Sequence, residues 1–74
     1  MPKLPALTAR KLIKILEQCG FQLDHKTGSH FIFYHKANQR RAVVPFHAND
    51  LPKGTVASIL REAGITKDEL KNLL

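Results

Sequence analysis

The stretch "TGSHFIFYH", residues 27–35, decides how the chain folds. A short turn, Thr27-Gly28-Ser29, runs directly into Phe31, Ile32, Phe33 and Tyr34, an apolar and aromatic run of strand length. The first residue of that strand is a histidine, His30. Strand ends meet water and tolerate polar side chains, so a solvated ring is one reading. The other is an imidazole held at a solvent-facing rim for proton transfer. Upstream, residues 21–26 (FQLDHK) alternate apolar and polar, as a half-buried strand does. Downstream, residues 41–46 supply a third strand across the link Ala37-Asn38-Gln39-Arg40. Both links suit hairpins, so three antiparallel strands in a meander are predicted.

The apolar pattern also predicts a register. A two-residue Gly28-Ser29 loop in a regular ladder would set Asp24 against Phe33. A three-residue loop pairs Leu23 with Phe33 and His25 with Phe31, placing Phe21, Leu23, Phe31 and Phe33 on one buried face. The opposite face then carries Asp24, Lys26, His30, Ile32 and Tyr34, with Lys26 directly across from His30.

Helices flank the sheet. Thr8 offers a side-chain oxygen as an N-cap, and Leu12, Ile13, Leu16 and Cys19 form one helical stripe. Gly20 stops that helix, and Phe21 can fold back on Leu16. After the loop "HANDLP", Pro52 suits a first helical turn, and Val56, Ile59, Leu60 and Ala63 form the next stripe up to Gly64. Thr66 to Glu69 has the spacing of a capping box, opening a short tail helix with Leu70, Leu73 and Leu74. The fold class expected is α+β: a single two-layer domain over residues 1–74, with helices on one face of a three-stranded sheet.

At this length the chain buries only roughly 60% of its unfolded surface, yet 43% apolar residues suffice for a modest core. One cysteine, Cys19, excludes an internal disulfide and suits a reducing cytoplasm. No signal-peptide core or membrane-length apolar run is present, so a cytoplasmic domain without a membrane partner is expected. The +6 charge is uneven. Residues 1–47 hold Lys3, Arg10, Lys11, Lys14, Lys26, Lys36, Arg40 and Arg41 against Glu17 and Asp24, which accounts for all of it. Such a field draws polyanions, nucleic acid foremost.

The order α-β-β-β-α resembles the double-stranded-RNA-binding fold. "GSHFIF" (residues 28–33), "VPFHANDLPKGTVASILREAGIT" (residues 44–66) and "GF" (residues 20–21) narrow the likeness. Together they resemble the HicA family, small toxin ribonucleases of bacterial toxin–antitoxin pairs. The resemblance implies an mRNA interferase whose essential histidine is that of GSH, here His30. It also implies a HicB-like antitoxin that masks the active surface. His47, of the VPxH element, is a possible second functional histidine.

RNA carries its own nucleophile in the 2′-OH, so a nuclease needs little beyond proton transfer and charge stabilisation. Histidine titrates near neutrality and can act as base or acid. Lys26, across from His30 in the expected register, would favour the neutral ring by like-charge repulsion and orient the phosphate. Gly28 lets backbone approach a phosphate, and Ser29 adds a hydroxyl. Lys36, Arg40, Arg41 and Lys53 are expected phosphate contacts, Lys53 at the N-terminus of the second long helix, and Tyr34 is placed to stack a base. The acid that must complement His30 is left among His47, Lys26 and water. His25, His30, His35 and His47 invite a metal reading. In the expected register, however, His25 and His35 face away from His30, so no metal and no small-molecule cofactor is expected. A non-catalytic RNA-binding module on the same fold is the alternative, and a protein-interaction domain a third reading.

Overall fold

A computed structural model describes residues 7–46 and 51–73. The elements are α1 (Ala9–Gln18), β1 (Gln22–Thr27), β2 (His30–His35), β3 (Arg40–Pro45), α2 (Lys53–Ala63) and α3 (Lys67–Leu73). The strands form an antiparallel sheet in the order β1-β2-β3, with helices packed on one face. This is the expected α+β arrangement, like the double-stranded-RNA-binding fold.

Helix α1 begins where Thr8 Oγ1 accepts the Lys11 N–H at 3.2 Å. It buries Ala9, Leu12, Ile15 and Leu16, while Ile13 and Cys19 are only partly covered. Its end is a full Schellman motif: the Gly20 N–H donates to the Glu17 carbonyl at 3.1 Å and the Phe21 N–H to the Leu16 carbonyl at 3.0 Å. Gly20 has φ +99°, and a Cβ there would lie 2.7 Å from His35 Nε2. His35 occupies that space because its Nε2–H donates to the Cys19 carbonyl at 3.0 Å, while Nδ1 accepts the Asn38 N–H at 3.4 Å. Its ring also meets Phe21 edge-on, with centroids 5.1 Å apart. His35 thus ties the end of α1 to β2.

The β1–β2 register departs from expectation midway. Leu23 pairs with Phe33 as anticipated, but a bulge at Asp24 makes the next partners His25↔Ile32, Lys26↔Phe31 and Thr27↔His30. The extra residue reconciles two demands that a regular ladder cannot meet: a two-residue Gly28-Ser29 turn, and Leu23 opposite Phe33. The expected Lys26–His30 pair is therefore absent. Lys26 turns to the helix side, its Nζ 4.8 Å from the centroid of the Phe31 ring, which stacks on Phe46. His25 moves to the face of His30, also contrary to expectation.

Phe33, Ala42 and Val44 carry the sheet's share of the core. Leu23 does not join them: it is 44% exposed, because both long helices pack on β3 and leave β1 uncovered at the far edge. Opposite the helices lie His30 with Pro45, Ile32 with Val43, and Tyr34 with Arg41. Ile32, though on this open face and outside the core cluster, is only 7% exposed.

Pro52 is the N-cap of α2, which buries Val56, Ile59, Leu60 and Ala63 as its spacing predicts. Leu7 and Leu51 join the core, linked by the Leu51 N–H donating to the Leu7 carbonyl at 2.8 Å. Helix α3 opens with Thr66 Oγ1 accepting the Glu69 N–H at 3.1 Å and donating to the Glu69 carboxylate at 3.2 Å. Leu70 then anchors it in the core.

Candidate active site

His30 is the first residue of the central strand, flanked by Thr27 on β1 and Pro45 on β3. Its side chain is exposed on the face away from the helices. The turn before it is firmly placed. Gly28 has φ +56° and is the only central turn residue with positive φ, the pattern of a II′ hairpin turn. The Ser29 carbonyl accepts the Phe46 N–H at 2.7 Å, fastening the turn to the end of β3. Among the described residues, its two chain neighbours aside, no atom lies within 4 Å of a Cβ built on Gly28, which leaves room beside the turn.

Around His30 the register assembles a specific open face. Thr27 is its direct neighbour, and His25 is the diagonal one, on the far side of the pair with Ile32. His25 Nδ1 lies 2.7 Å from Asp24 Oδ2. An ionised carboxylate only accepts, so the proton of this bond sits on Nδ1. Further along the face come Tyr34 and Arg41, directly paired. A shallow concavity at the bulge is lined by Gln22, Leu23, Asp24, Tyr34 and Lys36.

The other expected contacts distribute unevenly. Arg41 and Lys36 are exposed on or beside this face. Arg40 instead lies over the end of α2, where its Nη1 donates to the Glu62 carbonyl at 3.4 Å, on the helix side. A cation there complements the negative end of the helix. Lys53 is exposed at the first position of α2. His47 lies outside the described residues. His35, held by the Cys19 carbonyl and the Asn38 N–H, is structural. Among the described residues no cluster of ligating side chains is arranged to hold a metal ion. Burial pushes the Cys19 thiol up in pKa, and the Glu69 carboxylate adds to that.

Sequence reasoning missed the Asp24–His25 pair. The signal was present in the two-residue Gly28-Ser29 turn, which is compatible with Leu23 opposite Phe33 only if one residue of β1 is extra.

The profile of the family described as "HicA toxin of bacterial toxin-antitoxin" matches residues 9–65. The chain belongs to the HicA toxin family. The match runs from the first residue of α1 through Ile65, so it takes in the whole sheet and the His30 turn. No curated protein matches the chain. As a HicA toxin it is one half of a toxin–antitoxin pair. No helix among the described residues is long and apolar enough to cross a membrane.

Proposed function

We propose that this HicA toxin is a metal-independent endoribonuclease of the cytoplasm that cuts single-stranded mRNA, with His30 as its catalytic histidine. The observation that carries this reading is the placement of His30: an exposed imidazole beside a fastened Gly28-Ser29 turn, on the sheet face that no described helix covers. The ring takes the proton of a 2′-OH. The 2′-oxygen attacks the adjacent phosphorus, and the 5′-oxygen leaves, giving a 2′,3′-cyclic phosphate and a 5′-OH. General-base catalysis of this kind contributes about 10²–10⁴-fold, enough for a toxin, since few cuts in a message stop its translation.

Gly28 and Ser29 border the attacked phosphate, the former by leaving room and the latter with its hydroxyl. Arg41 and Lys36 bind flanking phosphates, and Tyr34 offers a ring for a base to stack on. Lys26, paired with Phe31 and lying over its ring, is not the neighbour of His30, and Arg40 serves chiefly to close α2. Lys53 remains an accessory phosphate contact. The partner is a HicB-like antitoxin that covers the open face, where an acidic surface would match Arg41 and Lys36.

The test incubates purified wild type and His30→Ala with a single-stranded RNA. Wild type should cut and His30→Ala should not, with binding retained in both. Substrate carrying a 2′-O-methyl at the scissile nucleotide should resist. Equal cutting by both proteins would remove His30 from the catalysis, and binding without cutting by either makes the domain a non-catalytic RNA binder.

A further inference from the structure

Transesterification at phosphorus moves two protons, one off the 2′-oxygen and one onto the departing 5′-oxygen. His30 accounts for the first. The bulge at Asp24 brings a second imidazole, His25, to the same face as a diagonal cross-strand neighbour of His30. Such neighbours have backbones roughly 7–8 Å apart and Cβ atoms closer still. Two rings reaching inward from that spacing can hold the attacking and departing oxygens of one phosphate between them. Ile32, paired with His25 and two residues along from His30, forms a largely buried apolar floor beneath the gap.

We infer that His25 is the general acid of the reaction and that Asp24 is its positioning residue. This rests on the nuclease reading of His30. The Asp24 carboxylate, 2.7 Å from Nδ1, fixes the tautomer and leaves Nε2 to face the substrate. His30 carries no such partner among the described residues. The step balances: the 2′-OH proton passes to His30 Nε2 or Nδ1, the O2′–P bond forms, the P–O5′ bond breaks, and the 5′-oxygen takes a proton from His25 Nε2. Water then returns both rings to their starting states.

The experiment compares wild type, His30→Ala, His25→Ala, His25→Gln and Asp24→Asn on two RNAs. One has an ordinary linkage and the other a bridging 5′-sulfur at the scissile position. Thiolate leaves without protonation, so loss of a general acid is forgiven on the sulfur substrate and loss of the base is not. Both His25 variants should cut the ordinary RNA about 10²-fold more slowly, and regain most of that loss on the sulfur substrate. His30→Ala should fail on both. Asp24→Asn should lower kcat with KM unchanged and be rescued by sulfur likewise. Both His25 and Asp24 are exposed, and thermal melts of the variants should match wild type. If wild type and His30→Ala behave as proposed but His25 variants cut at the wild-type rate, or are slow without sulfur rescue, the inference is overturned and the nuclease reading stands. If wild type cuts neither RNA, both fall.

Discussion

Gly20 and His35 show how single residues hold the site in place. A side chain at position 20 would need a positive φ and would meet the His35 ring at 2.7 Å. Gly20→Ala should therefore destabilise the fold by more than about 1 kcal/mol. Gly20→Ala combined with His35→Ala should cost less than the two separate losses added together, since the ring is then gone; urea unfolding of the three variants measures it. Full additivity would mean that the two residues do not share the space. Cys19 gives a second test. With its thiol pushed up by burial and by Glu69, it is protonated at neutral pH, and the thiolate is the reactive form. Folded protein should react with iodoacetamide at pH 8 far more slowly than protein in denaturant, and equal rates would contradict the burial. At this scale His30 was legible in the sequence, because GSH before an aromatic strand marks both a turn and a polar strand end. His35 was legible only as a residue on the face away from His30: nothing in the spacing shows a ring bonded to a carbonyl sixteen residues earlier.

Among the elements, β1 decides which side chains meet. Its bulge turns His25 and Thr27 toward His30 and sends Lys26 to the helices. Alternation alone cannot reveal an inserted residue, because either half of the strand reads correctly by itself. The helices were more legible, with Thr8 and Thr66 capping as their sequence context predicts and the α2 stripe buried residue for residue. The exposure of Leu23 was not legible, since it depends on where helices defined by distant residues come to rest. Deleting Asp24 tests the bulge. Leu23 and His25 would become consecutive, on opposite faces of a regular ladder, so the existing pairs can persist. NMR should still show cross-strand contacts from His25 to Ile32 and from Thr27 to His30, with cleavage reduced for want of the Asp24 carboxylate. A shift to contacts between Lys26 and His30 would show that the register is not held as described.

For the whole molecule, one small core holds the fold and the open sheet face carries the proposed site. Phe33 is the largest fully buried side chain, set between the helices and the middle of the sheet. Phe33→Ala should cost about 3–5 kcal/mol. That is a large share of the ~5–15 kcal/mol available to a domain, so urea titration should find it largely unfolded or nearly so. On the proposed reading, the +6 charge should make RNA affinity fall with salt. Removing Arg41 should lower the slope of log affinity against log salt by about one unit, whereas Arg40→Ala, bonded to the Glu62 carbonyl, should change the slope less and stability more. The central claim is that an exposed imidazole on the open sheet face cuts RNA through its own 2′-oxygen. The most direct measurement maps both ends of the products that wild type and His30→Ala release from one defined single-stranded RNA. The account predicts a 2′,3′-cyclic phosphate and a 5′-OH from wild type and intact RNA from His30→Ala. A 3′-OH with a 5′-phosphate, or the same products from both proteins, would contradict it.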